Sequence, residues 1–430
     1  MIAAATLGPS NLEGPFFWCK QAMLYDKCRS CLQLFLACLL PAVGIAAQPL
    51  QPWLDSASPG SRIRLPPGIY SGPAVISKAL TLEGDGQVII DGGGSGTVLT
   101  VKADDVSLRG LHLRASGDSH DAIDSGLHVE GQRLLIENNR IDDTLFGIVL
   151  HSTGDSIVRN NRIRSKAFAA ADRGDGLRLW NSSGNLIVGN DIAQIRDITV
   201  SNSPRNRFVG NRVFDSRRAF NLLFANRSLI EGNHLERNST GIIALNSDGL
   251  IIRNNRVMHA MDASGAGIAV KETSAALIIG NDIVHCAYGI MADSPMHPIN
   301  RIVLIDNRVA HNVTGIYFYG EKGGHIALRN RFESNLWQVA MASTGDPLND
   351  TWSGNYWDDY QGFDRNGDGV GDTPHEIYTY ADRIWLETPP AKFFRNSPLL
   401  ELLDFLERLA PFSQPDLVLR DPAPLINRPR

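Results

Sequence analysis

The chain has 430 residues, 43% hydrophobic and 20% charged, with a formal net charge of -5. That is enough apolar material for a sizeable core and one to three domains, while the mild acidity argues against nucleic acid, whose phosphates require a concentrated Lys/Arg surface. Forty glycines against only 7% aromatics favour an architecture of many turns with small residues at its corners.

Residues 1–47 read as a leader. Lys27 and Arg29 precede an apolar run from Leu32 to Ala46, which ends in the small residues Gly44, Ala46 and Ala47. This is the layout of a Sec-type signal peptide cleaved near Ala46 or Ala47, which directs the chain to the periplasm. The run is short of the roughly 20 residues a membrane-spanning helix needs. Met23 is a candidate true start, because the residues before it carry no signal-like charge. Four cysteines (Cys19, Cys28, Cys31 and Cys38) fall in this segment. Only Cys286 survives processing, so the exported chain has no internal disulfide and must be held by packing.

Residues 48–355 carry a repeat. Alternating segments open it: Ile63 to Tyr70, Leu80 to Leu82, Val88 to Ile90 and Val106 to Leu113. An Asn followed two residues later by a large apolar residue then recurs at Asn139, Asn161, Asn190, Asn211, Asn233, Asn255, Asn281, Asn307 and Asn330, closing at Asn355. The intervals are 22, 29, 21, 22, 22, 26, 26, 23 and 25 residues. Gly-Ile pairs such as Gly147-Ile148, Gly241-Ile242 and Gly289-Ile290 keep phase with it. A period in the low to mid twenties with three short strands and polar corners is one rung of a parallel β-helix. Rungs stack about 4.8 Å apart, so equal positions form columns and stacked Asn side chains satisfy one another. The crossover rule makes the helix right-handed. The leucine spacing and helical segments of a leucine-rich repeat are absent.

Two groups of polar residues stand out along the repeat. His120, Asp121, Asp124 and His128 fall in one loop-rich stretch, with Asp172, Arg173 and Asp175 in an insertion about two rungs on. On a β-helix face such groups would suit a polysaccharide lyase or epimerase, which removes a sugar proton with a base and a neighbouring cation. No adjacent carboxylate pair or His-Glu arrangement is evident in them, so solvated loops are the simpler expectation.

The second group is softer. Four of the five methionines beyond residue 47 lie between Met258 and Met296, among His259, His285, His297 and, just beyond, His311. His259, His285 and His311 each follow a ladder Asn by four residues, which predicts a three-rung histidine column with neighbours about 5 Å apart. Met258 and Met261 flank the first of them, and the loop carrying Met296 and His297 could fold towards the others. Thioether and imidazole suit Cu(I), so a transient Cu(I) docking surface is one reading. A stacked imidazole ladder with methionine as core filler is the other. Cys286 shares the rung position of Thr144, Asn238 and Asn312 and should point inward.

From residue 356 to the end at 430 the repeat is lost. Asp364-x-Asn366-x-Asp368-Gly-x-x-Asp372 sets oxygen ligands at alternate positions with Gly369 for the tight turn, the first part of a calcium loop. His375 stands where the closing bidentate Glu belongs, which leaves a structural calcium clip or a metal-free Asp/Asn turn. Leu399 to Leu409 is amphipathic at helical spacing, suited to capping the last rung or to docking on a membrane partner. There is no phosphate loop ending in Lys-Ser/Thr, no Gly-x-Ser-x-Gly elbow and no zinc-type cysteine pair beyond the leader.

The segment from Gly354-Asn355-Tyr356-Trp357-Asp358-Asp359-Tyr360 through Asp364-Arg365-Asn366-Gly367-Asp368-Gly369 to Asp372-Thr373-Pro374 resembles the C-terminal signature of NosD-like nitrous oxide reductase maturation proteins. The resemblance continues through Tyr378 to Leu386, Pro389-Pro390 and the Leu399 to Leu409 stretch, and it covers nearly the whole exported chain. It implies a non-enzymatic periplasmic factor that works with the permease and the separate ATPase subunit of an ABC transporter, meeting the membrane only through them. It further implies copper taken from a lipoprotein chaperone and delivered to apo nitrous oxide reductase.

Overall fold

The structure is a computed structural model that describes residues 47–293, 301–319, 323–341, 350–379, 402, 406 and 416–428. Residues 1–46 of the leader, Met296 and His297 lie outside the described residues. The chain from Ala47 onwards forms one compact unit, a parallel β-solenoid of about 13 turns.

One rung shows how the sequence makes it. Ile251–Arg253, Arg256–Met258 and Ala266–Lys271 are its three strands. Each pairs in parallel with its counterpart one rung on: Ile252 with Ile278, Val257 with Ile283, and Ile268 with Ile290. Alternate residues point inward, so these six positions are essentially buried. Their equivalents build a single axial core of Val158, Ile187, Phe208, Ile230, Ile163, Ile192 and Val213, every one fully buried. Arg and acidic residues alternate outside, as in Arg62, Glu83, Arg109, Glu137 and Arg159, which bond one another from rung to rung.

Bends between strands need a left-handed residue, which reverses the backbone and aims the next side chain inward. Asn254 (φ 55°) and Gly280 (φ 63°) fill that role directly before Asn255 and Asn281. The inward Asn column then satisfies itself. Asn161 receives Asn139's main-chain N–H at 2.9 Å and its side-chain amide at 3.1 Å, while its own amide reaches Ile136 O at 2.9 Å. The same pattern repeats to Asn355.

The start departs from the repeat expected from residue 48, and the non-repeat end expected from residue 356 contains paired strands. At the start a six-residue helix, Gln51–Ser56, sets Leu50 and Leu54 over the core. At the far end the strands His375–Thr379 and Asp416–Asp421 pair antiparallel, and Val418 and Leu419 pack onto the core. The residues just after the second strand give the last rung backbone partners: Gly354 N donates to Ala423 O and Leu425 N to Asn355 O. Of the helix expected over Leu399 to Leu409, the described residues are Leu402 and Leu406; both are helical and exposed. No helix among the described residues is long and apolar enough to cross a membrane.

Candidate functional site

His259, His285 and His311 each occupy a left-handed corner, at φ 60°, 54° and 56°. They directly follow the strands Arg256–Met258, Asp282–Val284 and Arg308–Ala310. Because the corner repeats at one height in every rung, the rings stack. Successive centroids are 5.3 Å apart, with planes inclined by 8° and then 26°. Burial, the two neighbouring rings and Arg308 hold the His285 pKa below the usual imidazole range. At the lower end His259 Nδ1 lies 4.0 Å from Glu236 Oε1, a carboxyl kept more acidic than usual by its hydrogen bond from His234.

Met258 is half-buried on the outer face beside His259, and its sulfur accepts from Arg256 Nε at 3.1 Å. Met261 is exposed. Imidazole lone pairs lie in the ring plane, so parallel rings send them side by side rather than to one point. Two stacked histidines would hold one ion only after turning about χ2, a soft torsion for an imidazole. The donor set therefore fits transient contact with a soft cation better than a closed cage. Cys286 is fully buried, its main-chain N–H bonded to Asn312 Oδ1 at 2.8 Å, and burial pushes the thiol up to about 11. It is a core residue, as its rung position predicts.

The acidic loop is internally bonded. Asp364 accepts the main-chain N–H groups of Gly367, Asp368 and Gly369; Asp368 accepts that of Val370, and Asp372 that of Arg365. Asn366 bonds Asp368. The loop is tied to the C-terminal segment, since Gly371 N donates to Pro424 O and Ile426 N to Gly369 O.

Two members of the first polar group, His128 and Asp175, meet titratable residues from outside it. His128 stands in the strand Ser125–Val129, not in a loop, and pairs with Val149 one rung on. That register brings His151 over Glu130, with His128 Nε2 at 3.3 Å and His151 Nδ1 at 3.8 Å from Glu130 Oε1. Asp175 and Asp197 also face each other from successive rungs. Asp197 is almost fully enclosed and accepts from Arg217 Nε at 2.9 Å. Burial and the Asp197 charge push the Asp175 carboxyl up to about 6.

Elsewhere, His120 Nε2 bonds Asp172 O at 3.1 Å and its ring meets Phe146 edge-on. Asp124 is buried, accepting Ser119 N at 2.9 Å; Arg173 Nε donates to Phe168 O; Asp121 is exposed. The insertion therefore folds back over this stretch, and no base-and-cation pair is left aimed at solvent by His120, Asp121 and Arg173. His151 and Glu130 escape sequence reasoning because neither sits at an Asn-phased position. Adding one period to His128-x-Glu130 would have pointed to His151.

Residues 160–362 match a protein family described as "Periplasmic copper-binding protein (NosD)". Two relatives, from Pseudomonas aeruginosa and Stutzerimonas stutzeri, are each named "Probable ABC transporter binding protein NosD". Each is 29% identical, over 92% and 94% of this chain respectively and 95% of its own length. Among solved structures, the A-module of mannuronan C-5 epimerase AlgE4 from Azotobacter vinelandii is similar at 14% identity. It covers 66% of this chain and 90% of its own, with a TM-score of 0.46. The periplasmic alginate epimerase AlgG is similar at 12% identity over 67% and 76%, with a TM-score of 0.41. Likeness at that level does not speak to activity.

Proposed function

This chain is NosD-like, and we propose that it is a periplasmic, copper-binding assembly factor for the copper-sulfur centres of nitrous oxide reductase. It works as a docking and delivery platform with the permease and ATPase subunits of an ABC transporter, receiving copper from a lipoprotein chaperone and passing it to the apo-reductase. The chain itself catalyses no reaction; ATP is hydrolysed by the partner subunit. Export removes residues 1–47, and the platform touches the membrane only through the transporter.

The observation that carries this proposal is near-full-length likeness to relatives named as transporter binding proteins. The histidine column offers a place for the cargo. Met258, His259, Met261, His285 and His311 form a graded set of soft and borderline donors on the exterior, and Met296 and His297 belong to the same proposed set. Cu(I) held by one or two such donors at a time can be passed on, because no closed shell has to be broken. In the acidic loop Asp364, Asn366, Asp368 and Asp372 would hold a structural calcium ion.

The test is the copper content and visible spectrum of nitrous oxide reductase purified from a strain lacking only this gene. A reductase missing one copper centre is expected. A fully loaded, active reductase would end the proposal.

A further inference from the structure

Among the described residues, one cluster of histidine and carboxylate side chains brings potential metal-ligating atoms together away from the histidine column and the acidic loop. His128, Glu130 and His151 each offer a ligand atom, and these atoms lie within 4.8 Å of one another on the outer face of the third ladder. The scaffold is rigid there: Leu127, His128 and Val129 pair with Leu99, Thr100 and Val101 on one side, and with Ile148, Val149 and Leu150 on the other. Glu130 N is bonded to Val101 O at 2.8 Å. Adjacent strands therefore carry the two histidines, and Glu130 directly follows the first of these strands.

Ring geometry separates this cluster from the histidine column. The His128 and His151 rings stand at 90° with centroids 6.1 Å apart, so their in-plane lone pairs can converge where parallel rings cannot. Glu130 Oε1 sits between them, 3.3 Å from one nitrogen and 3.8 Å from the other. A tetrahedral ion about 2.1 Å from each ligand sets its donors about 3.4 Å apart. His128 is half-buried, which shields the site on one side.

We propose that His128, Glu130 and His151 form a binding site for a divalent transition-metal ion of the Zn2+ or Cu2+ class, with a fourth position open to solvent or a partner's side chain. Two imidazoles and a carboxylate are borderline-to-hard ligands, so the site selects divalent ions where the methionine-flanked column selects Cu(I). It lies before residues 160–362 and is independent of the copper-delivery proposal.

The test uses the exported chain titrated calorimetrically with Zn2+ alone, with folding of every variant followed by circular dichroism. One equivalent is expected to bind. Glu130→Gln and His151→Ala should each weaken it about tenfold or more, while a His259→Ala/His285→Ala double variant keeps it. Cu2+ bound to the same chain should show two-nitrogen hyperfine coupling in its electron paramagnetic resonance spectrum, lost in His151→Ala. Zn2+ affinity unchanged in Glu130→Gln and His151→Ala, or lost only in the His259/His285 variant, overturns the site.

Discussion

Asp421 Oδ2 closes the asparagine column: it accepts the Asn355 side-chain amide at 2.9 Å and the Asn355 main-chain N–H at 3.2 Å. The same oxygen takes Trp357 Nε1 at 3.1 Å, and all three residues are buried. Each Asn in the column needs an acceptor above it, so the last one requires a group that only accepts, which a carboxylate is.

Replacing Asp421 with Ala should therefore cost about 3 kcal/mol locally, since buried donors lose their partner with no water to replace it. Asp421→Asn should cost less, because its Oδ1 still accepts while its amide faces that of Asn355. A solenoid can fray from one end without global unfolding. The readouts are hence Trp fluorescence in urea and hydrogen exchange at Asn355. Unaltered exchange there in Asp421→Ala would show that the column ends without this carboxylate.

The Asn column was legible in the sequence because one residue type must donate and accept at a fixed phase in every rung. The histidine column followed from the same phase, four residues on. Asp421 was not legible, since it stands 66 residues from Asn355 with no repeat to place it. The helix Gln51–Ser56 carries no repeat either. Asp175 and Asp197 stand one ordinary period of 22 residues apart, but the insertion that stretches one interval to 29 residues puts them 14 and 7 residues after their ladder asparagines, which hides the pair from Asn phasing. His128 reads as loop because His120, Asp121 and Asp124 precede it, although the alternation Leu127, His128, Val129 marks a strand.

Asp175 makes a pH prediction. Its folded pKa of about 6 lies above the ordinary carboxyl value of 3.8, so the folded chain binds that proton more tightly than the unfolded one. The resulting stability is complete below about pH 4 and is lost as pH rises through about 6. The full difference is on the order of 2–3 kcal/mol. Asp175→Asn, which never ionises, should flatten the melting-temperature profile between about pH 4 and 6 and be the more stable chain at pH 7.5. Parallel profiles for the two proteins would refute the shift.

Calcium acts at the other end in the proposed reading. The acidic loop is bridged to the C-terminal segment by Val370 and Leu425, so an ion ordering the loop should also tighten the closure of the last rung. Added Ca2+ is expected to raise the melting temperature, chelator to lower it, and Asp368→Ala to abolish the response. A melting temperature indifferent to both would leave a hydrogen-bonded turn, for which the bonds to Asp364, Asp368 and Asp372 already suffice.

The copper proposal is sharpest at the histidine column. These side chains sit outside the core, at corners where Gln194, Asp215 and Arg237 take the same left-handed position in other rungs. Replacing His259 and His285 with Asn, which tolerates that conformation, together with Met258→Leu, should leave the fold and melting temperature essentially unchanged. Cu(I) affinity of the purified chain should fall about tenfold or more, and reductase matured in its presence should come out copper-poor. If Cu(I) binding and reductase loading both match those with the unmodified chain, the column is a stacking device that holds three corners together, and delivery uses another face.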